Sequence, residues 1–204
     1  MLCRSTVCVL STLGGFLIAG CAVPKIPAQW TDPAFSNHPL RGAKVLVVCE
    51  AEETAVRRIC QDEVVARISA TGAEPLTPSE KLASGRDDGA MAAAREMGAK
   101  AVFAAKVTRE ASVIGSSARI GIGVGTSSGR DNGIVVGGAV GTSAPIGSTR
   151  IDTAYGANMV LTDVATGRLM WTIKVTTPAS QDVGGQIREL AKVGVEEAQK
   201  AGMF

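Results

Sequence analysis

Short apolar runs alternate with longer amphipathic stretches along most of the chain. The first apolar run, residues 43–49, has the length and composition of a strand that a sheet buries on both faces. Residues 54–71 place apolar side chains three or four positions apart with charged residues between them, and Gly72 follows. This spacing predicts an amphipathic helix that ends at the glycine.

Further strand and helix signals continue this alternation to the end of the chain. The strand signals lie at residues 74–76, 101–107, 154–164 and 169–176. The helical signals lie at residues 87–98 and 182–201. A glycine-containing turn joins the last two strands, so they should form an antiparallel hairpin. The sequence therefore predicts the α/β class, with a mixed β-sheet and flanking helices in the order βαβαβ, hairpin, α.

A glycine-rich segment, residues 117–142, interrupts this pattern between the two halves of the predicted sheet. In each of its two arms apolar residues alternate with glycine or polar residues, and a polar turn at residues 127–132 separates the arms. The apolar positions of the arms are Ile120, Ile122, Val124, Ile134, Val136 and Val140. The pattern predicts a glycine-rich β-hairpin insertion.

Three interpretations of this insertion remain open. A mobile hairpin in water, or one at the sheet edge, is narrowly favoured, because the segment lacks the aromatic girdles expected at membrane interfaces. Alternatively, each arm has about the 10 residues that a tilted membrane strand needs, and the six apolar residues would face lipid. That membrane hairpin requires a ring of subunits that closes a shared barrel. Glycines at every fourth position would also suit a packing zipper.

The first twenty residues are predicted to be a targeting signal rather than a part of the fold. They carry Arg4, then an apolar run and small residues, which is the shape of a secretory signal peptide. Residues 18–21, Ile-Ala-Gly-Cys, resemble the processing site of bacterial lipoproteins. The resemblance implies cleavage before Cys21 and attachment of acyl chains such as palmitate to it. Because Ala22 follows, it also implies transport to the outer membrane; an uncleaved membrane helix is the alternative.

Residues 21–42 contain four prolines and no sustained periodicity. This composition predicts an extended tether between the lipid and the domain. The expected organisation is a signal peptide at residues 1–20, a lipid-anchored tether at 21–42 and a single α/β domain at 43–204.

Two cysteines remain in the mature domain, Cys49 and Cys60, because Cys3 and Cys8 leave with the signal peptide and Cys21 carries lipid. In an oxidising compartment the pair can form a disulfide if the helix packs back over its strand. Two buried thiols are the alternative, and they are slightly favoured because cysteine is a common small core residue.

Composition and residue inventory exclude several classes of function. Lys and Arg number 21 against 19 Asp and Glu, for a net charge of +2 without charged blocks, so no nucleic-acid partner is expected. His38 is the only histidine and lies in the predicted tether, so the domain lacks a histidine base or metal ligand. Glu50, Glu52 and Glu53 are expected to be solvated at a helix N-terminus. No catalytic residue, metal or cofactor is expected, and the chain is predicted not to be an enzyme.

Two segments resemble a group of bacterial lipoproteins. The alanine-rich helix that ends at residues 97–100 and enters the strand at 101–107 resembles the core of CsgG-type curli-export channel lipoproteins and of LpoB-like penicillin-binding-protein activators. Residues 157–171, with a strand, an Asp-x-x-Thr-Gly turn and a strand that ends in tryptophan, are similar to the same families. The resemblance covers residues 43–110 and 150–201, and it places neither family's partner-binding residues on this chain.

Together these observations predict a non-enzymatic lipoprotein that is anchored on the periplasmic face of the bacterial outer membrane. It would act as an envelope scaffold, regulator or assembly factor through a periplasmic or outer-membrane protein partner. The alternative is a homo-oligomeric, CsgG-like outer-membrane pore or secretion-channel component that uses the hairpin at residues 117–142.

Overall fold

The structure is a computed structural model that describes residues 23–35, 37, 39–78, 87–115, 119–120, 144–145 and 150–204. The predicted signal peptide and most of the glycine-rich insertion lie outside these residues. The strands are β1 (Lys25–Thr31), β2 (Lys44–Glu50), β3 (Glu74–Leu76), β4 (Ala101–Gly115), β5 (Arg119–Ile120), β6 (Ala144–Pro145), β7 (Arg150–Asp163) and β8 (Leu169–Thr176). The helices are α1 (Thr54–Ala70), α2 (Asp87–Glu96) and α3 (Val183–Lys200), and a 3-10 turn spans Pro33–Phe35.

The described residues form a mixed six-stranded sheet in the order β1-β8-β7-β4-β2-β3. β2 runs parallel to β3 and β4, whereas β4, β7, β8 and β1 are successively antiparallel. The parallel strands are joined through α1 and α2, as βαβ units require. β7 and β8 form the expected hairpin, and Gly167 in its turn has a φ of 69°, which glycine adopts without strain. The predicted α/β class with a mixed sheet is confirmed.

The main core lies between the sheet and the layer formed by α1 and α3. α1 contributes apolar residues spaced four apart, which are Val56, Cys60, Val64 and Ile68, and all four are buried. The largest buried side chains of the sheet are Phe103 and Trp171, whose rings stack with centroids 6.4 Å apart. The helical spacing and the strand alternation read from the sequence therefore correspond to the two surfaces of this core.

The opposite face of the sheet is covered only in part by α2. Ala93 and Ala94 are buried against β2 and β4, and their small side chains allow a close approach of the helix. The strands β7, β8 and β1 continue this face beyond α2. There Asn158 and Trp30 are exposed to solvent.

The expected tether over residues 21–42 needs correction in its described part. β1 (Lys25–Thr31) is an edge strand that pairs with β8, and Leu40 is fully buried in the main core. The strand was not evident from the sequence because the prolines of residues 21–42 favoured a tether, although Ile26, Ala28 and Trp30 alternate along it. Six of its seven residues are exposed, so the alternation does not mark a buried face. The domain therefore begins before residue 43.

An ion pair fastens this N-terminal segment to the β7–β8 turn. The Arg168 guanidinium donates a hydrogen bond to Asp32 Oδ2 at 2.5 Å and lies 5.4 Å above the ring centre of Phe35. Asp32 is buried, and its other oxygen accepts a hydrogen bond from the backbone N–H of Ala34 at 2.9 Å. The buried carboxylate is thus satisfied on both oxygens, as burial of a charge requires.

Gly194 allows α3 to lie unusually close to the sheet. A Cβ atom at this position would lie 1.9 Å from the sulfur of Met159, a buried residue of β7. Any larger residue must displace this side chain inside a filled core.

We expect Gly194→Val to lower the free energy of unfolding by about 1–3 kcal/mol, because overpacking forces side chains and backbone to shift. Urea denaturation followed by circular dichroism measures this change. Gly184→Val in the first turn of α3 is the matched control, since the tightest contact of a Cβ there is the flexible end of Arg188 at 3.3 Å, and Asp182 Oδ1 at 3.7 Å is an ordinary contact. Equal destabilisation by the two variants would contradict the close approach at Gly194.

Candidate functional site

β4 and β7 extend together beyond the rest of the sheet. β2 pairs with β4 only as far as Lys106, and β8 pairs with β7 only as far as Gly156. Beyond those points residues 109–115 of β4 pair with residues 150–155 of β7 as a two-stranded antiparallel unit. We call this unit the ribbon; at the usual rise per residue it projects about 20 Å. The glycine-rich insertion connects its two strands.

A β-bulge marks the root of the ribbon. The register shifts between Arg109 and Ala111, so Glu110 is an extra residue in β4. Its side chain lies over Gly156, where a Cβ atom would come within 2.4 Å of the Glu110 carboxylate. The same carboxylate pairs with Lys174 Nζ at 3.2 Å. A bulge increases the local twist of a strand, so this arrangement redirects the ribbon where it leaves the sheet.

The outer edge of β7 is covered at the root. Gln186 of α3 is only 6% exposed, and its side-chain amide donates to the backbone C=O of Thr153 at 3.0 Å. Its Oε1 accepts from the backbone N–H of Tyr155 at 3.3 Å and from the Thr177 hydroxyl at 2.6 Å. Ser180 exchanges two backbone hydrogen bonds with Thr153, at 3.2 and 3.1 Å. Side chain and loop together replace a missing strand on this edge.

A second glutamine covers the free edge of β2 in the same way. β3 pairs with β2 only as far as Leu46, which leaves the following edge of β2 open. Gln61 of α1 accepts a hydrogen bond from the backbone N–H of Cys49 at 3.0 Å and donates to the C=O of Val47 at 2.8 Å. The amide side chain therefore mimics a strand neighbour.

The remaining edge of β4 has no such cover within the described part of the chain. Thr153 bonds to Ser180, so its N–H and C=O point away from β4. In an antiparallel ladder, two residues directly opposite each other either both point their N–H and C=O toward the partner strand or both point them away from it. Ser112 lies opposite Thr153. The N–H and C=O of Ser112 therefore face the free edge. From Ala111 to Gly115 this edge contains no charged residue and no proline, which are the usual protections of an edge strand.

A cavity of about 460 Å³ lies beside the root of the ribbon. Val56, Val107 and Tyr155 are the buried residues of its wall. Arg109 at the start of the ribbon forms an ion pair with Glu53, the residue that precedes α1. The cavity thus separates the ribbon from the first turn of α1, and the ion pair bridges the two.

The three glutamates expected at the end of the first strand line this cavity. Glu52 is exposed, whereas Glu50 and Glu53 are half-buried, so the expected full solvation holds for one of them. Glu53 makes no side-chain cap to α1 because it pairs with Arg109. Within the described ranges no group of three His, Cys, Asp or Glu side chains is arranged to hold a metal ion.

Cys49 and Cys60 are brought together behind the cavity, where they form a disulfide with Cα atoms 6.0 Å apart. Of the two alternatives left open by the sequence, the structure contains the bridge. Both residues are 1% exposed. The packing of α1 back over β2 supplies the geometry that the sequence alone left undetermined.

The N-terminus and the ribbon leave the sheet at the same end. Lys25, at the start of β1, is level with Thr176, which is level with Gly156 at the ribbon root. Val23 and Pro24 line a shallow depression together with Gln186 and the start of α3. Cys21 itself lies outside the described residues, but it precedes Lys25 by four residues and so lies within about 14 Å of it.

The predicted hairpin residues fall mostly outside the described part of the chain. Ile120 is in β5, whose two residues pair antiparallel with Ala144 and Pro145 of β6. Ile122, Val124, Ile134, Val136 and Val140 lie outside the described residues. The two ends of the insertion therefore lie side by side, as a hairpin connection requires, while the membrane-facing role of the six residues stays a prediction.

Sequence reasoning missed the ribbon and its covers. The strand expected at residues 101–107 continues to Gly115, and the one expected from residue 154 begins at Arg150. The uncharged stretch at residues 111–115 was an available signal for the longer strand. Gln61 and Gln186 carried no local signal, because each acts on a strand distant from it in sequence.

In the portion of the chain that the structure covers, no helix is both long and apolar enough to cross a membrane. The pKa of Lys200 is raised because its ammonium donates a hydrogen bond to Glu197 at 2.6 Å. This pair lies in the last turn of α3, at the opposite end of the helix from Gln186.

Comparison with known proteins shows a shared fold. No family model and no curated protein matches the chain. The PelC dodecamer of Paraburkholderia phytofirmans has a similar structure, with a TM-score of 0.52 and 14% identity over 89% of this chain and 99% of its own. A variant PelC dodecamer from the same organism gives 0.48 and 17% identity, over 82% of this chain and 95% of its own.

Lipoprotein GNA1162 of Neisseria meningitidis gives a TM-score of 0.41 and 15% identity, over 77% of this chain and 96% of its own. At these identities the comparisons support the fold alone, and they do so through the first of the three structures. The finer resemblance, to the CsgG-type and LpoB-like lipoproteins, stays a prediction.

We expect Gln186→Leu to lower the free energy of unfolding by about 1–3 kcal/mol, because the C=O of Thr153 and the N–H of Tyr155 each lose one of their hydrogen bonds in a buried site. Hydrogen exchange at Tyr155 should quicken as well. Gln199→Leu, an exposed position on the same helix, is the matched control and should change the stability by less than about 0.5 kcal/mol. If the two variants unfold alike, Gln186 does not hold the ribbon root.

Proposed function

We propose that this chain is a non-enzymatic, lipid-anchored envelope protein that assembles into a ring of identical subunits through its ribbon. The observation that carries this proposal is the uncharged upper edge of β4, which no described residue covers and which leaves the sheet at the same end as the start of β1. The proposal assigns no catalytic step to the cavity, because Glu53 is engaged by Arg109 and Glu52 faces solvent.

An isolated two-stranded ribbon is marginally stable in water, so it gains from a further strand. Within each subunit β4 and β7 are antiparallel, so the β4 edge of one copy can receive the β7 side of the next in the same antiparallel sense. Such a contact joins two different surfaces, and a repeated contact of this kind closes into a ring if the rotation permits. Because the β7 edge is covered at Thr153 and Tyr155, residues 150–152 of β7 would supply the contact, staggered along the neighbour's β4 edge so that Ser112 can receive them.

The expected lipid on Cys21 would bring this end of the sheet to a membrane. The link from Cys21 to Lys25 spans at most about 14 Å, and the ribbon projects about 20 Å beyond its root. The glycine-rich insertion therefore begins within reach of the bilayer. This geometry favours the membrane hairpin among the three interpretations of residues 117–142, and a ring supplies the neighbours that its strand edges need.

The shared fold also supports assembly. PelC of Paraburkholderia phytofirmans, which spans nearly the whole of this domain in the structural comparison, is a dodecamer. We carry over from it the expectation of assembly into a homo-oligomer, and no particular number of subunits.

An envelope scaffold that binds a different protein is the second candidate. It is favoured by the open face of the sheet, where Trp30 is 48% exposed and lies beside Thr172, and where Leu169 is 38% exposed. A half-exposed tryptophan on a sheet face is typical of a contact surface. In that case the chain would act as a monomer.

We expect Ser112→Pro to convert the assembled protein into monomers, because proline removes the N–H that faces the free edge while the β4–β7 ladder is kept. Light scattering and electron microscopy of the detergent-extracted full chain measure the assembly. Ser112→Ala is the matched control, since it loses the hydroxyl but keeps the backbone donor. Monomers for the unmodified chain would reject the ring and leave the scaffold. Rings that survive Ser112→Pro would reject the edge.

We expect Cys21→Ser to abolish incorporation of labelled palmitate and to release the protein from the membrane pellet, because the thiol that receives the first acyl chain is gone. Cys8→Ser, within the predicted signal peptide, is the control and should leave both readouts unchanged. Persistent membrane association without label would indicate the uncleaved helix instead.

A further inference from the structure

We infer that assembly requires the Cys49–Cys60 disulfide. Its formation fixes the first turns of α1 against the ribbon root, so that only the oxidised chain presents the β4 edge correctly. The inference rests on the proposed ring. It adds a condition on when the ring forms, and that condition is carried by residues outside the ribbon.

The disulfide is placed where it controls one half of α1. Cys60 lies one turn beyond Val56, and Val56 lines the cavity together with Tyr155 of the ribbon root. Gln61, the next residue, bonds to the backbone of Val47 and Cys49. The covalent bond and the amide therefore hold the same segment of β2, and both hold it to the same turn of the helix.

The Cys49–Cys60 bond and the Gln61 hydrogen bonds together form what we call the clamp. The contact between α1 and the ribbon depends on it. Glu53, just before the helix, pairs with Arg109, the first residue of the ribbon. Both side chains are at least one-third exposed, at 34% and 57%, and exposed ion pairs of this kind hold little by themselves. Val56 is the only buried residue of α1 on the N-terminal side of Cys60 in the described helix. Without the bond, the first turns of α1 keep the buried Val56, the Gln61 hydrogen bonds and this exposed ion pair, and we expect these contacts to hold them less firmly beside the root.

The second half of α1 has its own support. Val64 and Ile68 are fully buried in the main core, which also contains the buried residues of α3. The domain is therefore expected to fold without the bond, with the first turns of α1 loosened. The bond is therefore expected to control assembly without being required for folding.

Formation of the bond needs a compartment with an oxidant. The two thiols lose two protons and two electrons as the S–S bond forms, and a protein disulfide or oxidised glutathione accepts the electrons and becomes a dithiol or two thiols. Both cysteines are 1% exposed in the folded chain, so exchange reagents reach them before or during folding. A chain still in a reducing compartment would thus lack the clamp, and an oxidised chain would keep it.

The test compares the full chain with the Cys49→Ala/Cys60→Ala variant, both extracted in detergent. We expect the variant to keep its circular dichroism spectrum, to melt at a lower temperature and to assemble at least 10-fold less. Amides of residues 54–57 and 107–110 should exchange faster, which reports the clamp independently of assembly. Unmodified chain refolded with dithiothreitol should behave as the variant does, and with oxidised glutathione it should assemble. Dithiothreitol added to preformed rings, or to the variant, should change neither.

Each other outcome has a defined meaning. A folded variant that assembles like the unmodified chain, or that keeps the exchange of residues 54–57, overturns the inference. An unfolded variant also overturns it, because the bond would then serve folding as a whole. If the unmodified oxidised chain is monomeric, the proposed ring itself fails, and the inference fails with it.

Discussion

The structure depends on one constraint: each backbone N–H and C=O at the edge of the sheet needs a partner or water. β2 and β7 each extend beyond the end of a neighbouring strand. A glutamine from the helical layer covers the edge that this leaves open, Gln61 on β2 and Gln186 on β7. The outermost strands β1 and β3 contain Pro27 and Pro75, which limit further pairing. Within the described residues, the upper edge of β4 differs from these four edges in having no such protection, and for that reason it is the surface that we propose for assembly.

The helical layer also connects the ribbon to the rest of the domain. α3 contributes Gln186 to the β7 side of the root, and the start of α1 contributes the Glu53 ion pair to the β4 side. Between them, Glu110 and Gly156 fit together at the bulge. The direction of the ribbon at its root is therefore set by contacts on three sides.

Local patterns in the sequence sufficed for the parts of the fold that bury one clear face. The spacing in α1, the apolar run of β2 and the glycine turn between β7 and β8 each produced the element expected. β1 was missed because Pro27 and the prolines around the strand suggested a tether, and because six of its seven residues are exposed. The disulfide was left open because its geometry depends on how α1 packs. The glutamine covers could not be anticipated, since they join residues 14 and 33 positions apart.

The short connection between Cys21 and β1 has a consequence for the kinetics of association. Once acylated, a subunit would search for its neighbours in two dimensions, and its upright attachment would restrict rotation about all axes except the membrane normal. Confinement of this kind raises the effective concentration of one edge near another to about the millimolar range. A strand contact that holds detergent-extracted subunits together would therefore form faster on the lipid surface, and unanchored precursors would associate more slowly.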